Sequence, residues 1–349
     1  MQISEVVAVG VFCSYFFIIV GLFLLIARSL SSQNWGGKMY VFIALSVASF
    51  VHTWFCKSPI TFGDWSFTDY EQSARGTIST GLTVERMSQW LLNISLFQQA
   101  WAHVCFGKVN WWWSQQLCLF TVGAWTIFLS VEGQHHHIKF IWAYMLLSQF
   151  VAISVVSNLF YLALVLAPCP PSPSSSHGLS SFPALVALWL PILLSLSTVA
   201  TSPVTSERSF LPNLLLMHTL IMLLLLVPDR LFPLAQAPTL YIVVFGAALV
   251  LHAHATGQAA GDPPVSVRDL ALKAWDVLHS HPEQSSIGWD IIWTSISFVV
   301  WLFLHPELQP RVLPSSSTTK GRFLTAGTLQ VQVLLEDGAQ RELVNSQAL

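Results

Sequence analysis

Charge is what this chain has least of. Only 9% of its 349 residues are Asp, Glu, Lys or Arg, where soluble domains carry about 25%. The 15 basic residues are outnumbered by 17 acidic ones, so no basic excess exists to hold nucleic acid, and no nucleic-acid partner is expected. Cysteine is scarce as well. Cys13, Cys56, Cys105, Cys118 and Cys169 are odd in number and lack CxxC or metal-type spacing, which argues against a disulfide framework. Nucleotide loops of the GxGxxG or GxxxxGK[ST] kind are missing, as is a GxSxG elbow, and with them the chemistries they carry. So are the DxxxD or NxxxD pairs that hold magnesium diphosphate and the HxxxH and HxxHH boxes of a di-iron membrane hydroxylase.

Apolar length is what the chain has instead. It is 54% hydrophobic, with 15 Trp and 23 Phe. A spanning helix needs roughly 20 apolar residues, and Val6 to Ala27 contains no charge at all. The fold class expected is therefore all-α, a polytopic transmembrane helical bundle of about nine spans. Their approximate bounds are 6–27, 39–55, 89–106, 113–131, 140–167, 179–199, 211–227, 239–254 and 287–304. The first run is longer than a signal-peptide core and has no positive flank before it, so it reads as a span and not a leader. The third holds Asn93, Gln98, Gln99 and His103, which must turn toward other helices or a cavity.

Two domains are expected, a transmembrane unit over 1–304 and a polar tail over 305–349. A Pro/Ser-rich linker at 167–178 interrupts the first, since such a stretch cannot be helical. The tail reads as mostly disordered, with a possible strand at 328–335. Glu5 precedes the first span, while Arg28 and Lys38 follow it, which places the N-terminus outside or in the lumen. Nine spans would then put Glu85, the Glu132 and His135–His137 group and the acids between 262 and 290 on one face.

Chemistry has few places to sit. A carboxyl group moved toward low dielectric can stay protonated near neutrality and act as a general acid. Glu85, Glu132 and Asp290 lie beside or at the ends of expected spans and are the catalytic candidates, against the plainer reading of headgroup-layer acids. Asp290, Trp293 and Ser297 can share a helix face, and Asp290 serves equally well as a helix-start anchor. His218, inside an apolar span, is a candidate base, and His52 a cavity or helix-contact residue. Most Trp residues suit interfacial belts, but Trp125 falls mid-span. There, as with Trp293, an aromatic face could stabilise a cation. His135-His-His cannot direct three adjacent side chains at one ion, so no metal is expected, and no cofactor.

Four stretches carry a resemblance. They are Trp112-Trp-Ser-Gln-Gln-Leu-Cys with Gly123-Ala-Trp-Thr, and Ala143-Tyr-Met-Leu-Leu-Ser-Gln-Phe-Val-Ala-Ile-Ser running on to Ser157-Asn-Leu-Phe-Tyr-Leu-Ala. The others are Phe210-Leu-Pro-Asn-Leu-Leu-Leu-Met-His and His281-Pro-Glu-Gln-Ser-Ser-Ile-Gly-Trp-Asp. Together they resemble fungal multi-pass membrane proteins of terpenoid gene clusters, including indole diterpene pathways of the paxilline type. The resemblance covers about residues 40–304. It implies an integral-membrane terpene cyclase, an isomerase or lyase of secondary metabolism, located in the endoplasmic reticulum. The smaller membrane cyclases of fungal meroterpenoid pathways have seven spans and embedded acids; this chain is longer, and its acids do not map onto theirs one by one.

The expected reaction is proton-initiated cyclisation of a polyprenyl, possibly epoxidised, substrate. Glu85, Glu132 or Asp290 would donate the proton, Trp125 and Trp293 would face the cation, His218 would take the last proton, and His52 would help bind. The expected partners are the prenylated substrate, membrane lipid and other pathway enzymes. The alternatives are a transporter of a hydrophobic metabolite and a non-catalytic scaffold for pathway enzymes.

Overall fold

A computed structural model describes residues 2–30, 36–55, 59–73, 83–167, 182–205, 207–225, 237–261 and 265–304. The linker from 168 to 178, the tail from 305 and the strand expected at 328–335 lie outside the described residues. Residues 1–301 form one compact unit. Of the second unit, only the last turn of the final helix is described.

Among the described residues there are helices and turns but no strand. The helices are α1 (Ile3–Leu30), α2 (Gly37–Phe50), α3 (Pro59–Ser73), α4 (Thr83–Asn93), α5 (Leu96–Cys105), α6 (Lys108–Leu119) and α7 (Thr126–His135). After them come α8 (Ile141–Phe150), α9 (Ile153–Leu166), α10 (Phe182–Thr201), α11 (Glu207–Leu225), α12 (Ala237–Ala260), α13 (Val267–Leu278) and α14 (Pro282–Leu304). A π-helical turn, Val51–Phe55, extends α2, and another, Phe120–Trp125, joins α6 to α7 as one rod. Among the described residues, four helical stretches are long and apolar enough to cross a membrane: α1, the α6–α7 rod, Thr239–Ala260 of α12, and α14.

Side-chain contacts give the directions. Trp113 lies against Gly288, and Phe128 against Trp301, so the α6–α7 rod runs parallel to α14. Helix α9 is parallel to α14 too. Asp290 meets Ile153 and Ser154, Ser297 meets Asn158, and Trp301 stacks on Tyr161. Helix α2 runs against them, with Phe42 on Tyr161 and the Ser46 hydroxyl on the Val155 carbonyl. Helix α12 is antiparallel to the rod, because Trp112 donates to Thr256 while Gly123 faces Val244.

Gly123 is needed for that last approach. A Cβ there would come within 2.5 Å of Val244 Cγ1, and small residues are what let membrane helices close up. Gly123→Val should cost about 1–3 kcal/mol by overpacking, read as a lower unfolding temperature in detergent. Gly246, which has open space around its Cβ position, provides the comparison.

The expected fifth span, 140–167, is not one helix. The chain reverses at Val151–Ala152 to make an antiparallel hairpin of α8 and α9, with the Tyr144 and Phe160 rings 5.4 Å apart. Ten and 14 residues reach only about 15 and 21 Å, short of a hydrocarbon core of about 30 Å. Non-helical backbone at such depth must be buried in protein and its polar groups satisfied. Both conditions hold: Ala152 and Ile153 are buried. Tyr15 Oη donates to the Phe150 carbonyl at 2.5 Å, and the Asp290 carboxylate accepts from the Ile153 and Ser154 N–H groups at 2.9 and 2.7 Å.

The expected third span, 89–106, also departs from one helix. It is broken at Ile94–Ser95 into α4 and α5. The end of α2 and the start of α6 both pack on the first half of α14, through Thr53 with Ser286, His52 with Trp293, and Trp113 with Gly288. The end of α2 and the start of α6 therefore lie at the same end of α14, and between them α4 packs on α1 and α5 on α11. Of the polar groups of the third span, Gln99 faces protein, its Oε1 accepting from Ser66 at 2.7 Å, whereas Asn93 is exposed.

Candidate functional site

The buried centre of the bundle is aromatic. Trp125, Phe128, Tyr144, Phe160, Tyr161 and Trp301 contact one another in T-shaped and stacked pairs 5.3–6.2 Å between centroids, the spacing such rings prefer. The π-helical turn shifts the register of the rod: the Thr126 hydroxyl reaches back five residues to the Thr121 carbonyl. Insertions of this kind are frequent at functional positions. Trp125 closes the turn, fully buried, with no partner for its Nε1–H among the described residues.

Glu132 stands at the edge of this cluster. It follows Phe128 by one turn on the same face, and its side chain is 14% exposed. Oε2 lies 3.7 Å from Nε2 of His136, whose side chain is 4% exposed. Burial and the neighbouring His135 and His137 hold His136 below the usual imidazole range, so it stays neutral near pH 7. The Tyr241 hydroxyl is within electrostatic reach of both Glu132 and Tyr161, which joins the acid to the rings. A largely buried carboxyl group thus stands one helical turn from the aromatic cluster.

The other acids are placed differently. Asp290 turns both oxygens onto the first N–H groups of α9, a helix-start anchor for a helix other than its own. Glu85 lies half-buried in the first turn of α4, away from the rings. No hydrogen bond, ion pair or ring contact joins Glu85, Glu132, Asp290 and His218 to one another among the described residues. The expected grouping of acids on one face is also replaced. Glu132 sits beyond the Phe128–Trp301 level, whereas Asp290 is near the opposite end, at the Trp113–Gly288 level. Two broken spans alter the parity on which that grouping depended.

His218 donates from Nδ1 to the Leu214 carbonyl at 2.7 Å, because a carbonyl only accepts. That leaves the Nε2 lone pair available, with Trp101 and Phe97 edge-on to the ring at 5.6 and 6.0 Å. His52 and Trp293 are brought together. Trp293 Nε1–H donates to His52 Nδ1 at 3.1 Å, and the imidazole lies 4.3 Å from the Trp289 ring. This pair belongs to the α2–α14 contact and not to the ring cluster around Trp125. Phe128, Tyr161, Trp301 and Tyr241 were not singled out from the sequence, and His136 stood only as one of three adjacent histidines; the four-residue spacings Phe128–Glu132 and Glu132–His136 were the local signals.

A second imidazole cluster lies outside the long apolar helices. His103 and His281 stack at 4.1 Å with 12° between planes, and Trp65 sets its edge to both. Metal ions lie near the plane of a ligating ring, so parallel rings cannot share one ion. Among the described residues no group of three His, Cys, Asp or Glu is arranged to hold a metal. Burial, and then His103, push His281 down to about 4; burial likewise lowers His103 against the opposing effect of Asp69.

The folded protein therefore resists protonation that the unfolded chain accepts near pH 6.5. Stability should fall as pH drops from about 6.5 toward 4. His281→Asn should flatten that slope in unfolding-temperature scans, and an unchanged slope would remove this pair as its cause.

No family model matches the chain, no curated protein matches it in sequence, and no solved structure matches it.

Proposed function

We propose that the protein is a membrane-embedded terpene cyclase that starts cyclisation of a polyprenyl chain, epoxidised or not, by protonation from Glu132. The observation supporting this reading is the place of Glu132 one helical turn after Phe128, whose ring contacts Trp125, Tyr161 and Trp301. The donor protonates the epoxide or terminal alkene, and the aromatic quadrupoles stabilise the tertiary cation as it develops. His136, neutral and beside Glu132, accepts the proton that the final cation loses in forming an alkene and passes it to the carboxylate, so Glu132 is protonated again and the product keeps the substrate's mass. A lipid-soluble substrate enters sideways between helices, and exclusion of water delays quenching of the cation.

The helix directions support seven full crossings, α1, α2, the α6–α7 rod, α10, α11, α12 and α14, together with the α8–α9 hairpin entering and leaving at one face. We take that count in place of the nine expected, and it equals the seven spans of the smaller membrane cyclases of fungal meroterpenoid pathways. Residence in the endoplasmic reticulum is part of the same proposal, because that membrane receives prenylated intermediates.

The test uses membranes from a host expressing only this protein, given epoxidised and non-epoxidised prenylated substrates. A new product of unchanged mass is expected. No conversion by abundant, correctly inserted protein across the panel would sink the proposal. The α8–α9 break favours the alternative of transport, since broken helices mark binding sites in transporters. Uptake of the same compounds into proteoliposomes, without conversion, would establish it. A scaffold, by contrast, would fail on removal of residues 306–349, which a cyclase should survive.

A further inference from the structure

The connection between α12 and α14 holds a helix with three different sides. Helix α13 starts where the Ser266 hydroxyl accepts from the Asp269 N–H at 3.1 Å, a side-chain cap that fixes its first turn. At 3.6 residues per turn, Leu270, Ala274, Val277 and Leu278 fall on one side. That side packs on the bundle. Ala274 joins Val109 of α6 and Ala259 of α12, with Leu270, Val277 and Trp113 around them. Trp113 Nε1–H donates to the Ala274 carbonyl at 2.9 Å, and Leu278 lies against Gly288. Asp269, Lys273 and Asp276 form the far side and are exposed. Between the two runs an apolar strip, Ala271, Leu272 and Trp275, which is exposed as well, Leu272 by 54% and Trp275 by 55%.

Depth decides what this strip meets. Trp113 is five residues past Lys108, where α6 begins, and Gly288 is six residues past Pro282, where α14 begins. At 1.5 Å per residue, α13 therefore lies about 8–9 Å inward from both helix starts, alongside the bundle and not beyond its end. Its neighbours α12 and α14 are long and apolar enough to cross a membrane. They expose Val250 and Val299, so the strip continues a surface suited to lipid. Aromatic side chains continue it too: the Trp275 ring is 4.7 Å from His279, whose ring is 6.3 Å from Trp289 of α14. Tryptophan at the membrane–water boundary is favoured because its ring is apolar and its N–H polar.

We propose that α13 is an interfacial helix whose Ala271–Leu272–Trp275 strip is covered by phospholipid at the boundary of headgroups and acyl chains, while Asp269, Lys273 and Asp276 face water. Arg268 borders the strip, and its stem is long enough to carry the guanidinium to the headgroups. Arg268 and Lys273 balance Asp269 and Asp276 within the helix, so apolar burial holds it in place and attraction to anionic lipid contributes little. The membrane-embedded reading is the premise here; the chemistry performed by the bundle is not.

The experiment uses the full chain, one copy per nanodisc, in phosphatidylcholine, with peptide mass spectrometry as the readout. In the parent chain, a phosphatidylcholine with a diazirine high on its acyl chain should attach on illumination at Leu272 and Trp275, and not at Lys273 or Asp276. Ala271→Cys and Leu272→Cys should react about tenfold more slowly with a charged maleimide than Lys273→Cys and Asp276→Cys, because a charged reagent is excluded from hydrocarbon. Residues 265–281 contain no native cysteine, so label on that peptide comes only from the introduced thiol. Adding phosphatidylglycerol should leave both signals unchanged. Val250→Cys separates the proposal from its premise. Labelling there would overturn the membrane reading and the proposal with it, whereas protection there with equal labelling of the four α13 positions would overturn the proposal alone. Protection of the strip without a lipid adduct would also overturn it, since another part of the chain would then be the cover. Signals that appear only with phosphatidylglycerol would do the same.

Discussion

Glu132→Gln should abolish the cyclised product expected of the proposed reaction while leaving the protein folded and inserted. Glutamine keeps the size of the side chain but has no proton of useful acidity, and loss of a positioned general acid typically costs 10²–10⁴-fold in rate. The fold tolerates the change because the contact of Glu132 with His136 is long, at 3.7 Å, and no helix end depends on it. His136→Gln should lower the rate by about tenfold to a hundredfold, since it acts through Glu132; its distinguishing sign is a changed pH profile. Trp125→Leu should reduce turnover more than binding, because a π face contributes most when the cation exists. Assays of membranes holding matched amounts of each variant give the comparison. If Glu132→Gln converted substrate at the parent rate, the donor would lie elsewhere, and the ring cluster would be a packed core and nothing more.

The parts of this architecture that sequence reveals are those written locally. Helix α1 is one, because an uncharged run of 22 residues has no other stable form in a membrane. The break between α8 and α9 is the opposite case. Met-Leu-Leu-Ser-Gln-Phe-Val-Ala-Ile-Ser contains neither Gly nor Pro, so nothing nearby announces a reversal. What makes it possible is a carboxylate 136 or 137 residues away that satisfies the exposed N–H groups. In the broken third span, Gln99 and His103 hinted at buried polar contacts, but not at a change of direction.

The site divides along the same line. Asp290 and Ser297 do share a face toward α9, as their spacing implies, whereas Trp293 is rotated toward His52. Trp125 stood out because it falls mid-span. Phe128 follows it by three residues on the same rod, but Tyr161 and Trp301 come from α9 and α14, and no spacing within one helix could bring them in. The resemblance to terpenoid-cluster proteins names a chemistry but no residues, so the choice among three acids depended on three-dimensional neighbours.

Asp290→Ala should be the most destabilising single substitution in the bundle. It removes two charge-assisted hydrogen bonds and leaves the Ile153 and Ser154 N–H groups without acceptors in a buried, membrane-depth position. Each such group costs about 1–3 kcal/mol when unsatisfied, and the space left by the carboxylate adds a smaller penalty. A loss of about 3–5 kcal/mol follows, comparable to stripping one partner from a buried charged pair. Asp290→Asn retains one acceptor but turns an NH₂ toward a donor, so it should fall between the parent and the alanine variant.

Tyr15→Phe tests the other half of the same break. It frees the Phe150 carbonyl and should cost about 1 kcal/mol. Because both side chains hold one reversal, the double variant should lose less than the sum of the singles, the first loss having already loosened the turn. Ser295→Ala, whose hydroxyl is exposed and bonds within its own helix, should be silent. Denaturant titration in mixed micelles measures all five. A loss below about 1 kcal/mol for Asp290→Ala, with additive effects of Tyr15→Phe, would mean that α9 holds its place by packing and that the anchor is incidental; a large and sub-additive loss would make the carboxylate the reason the hairpin folds back within the bundle.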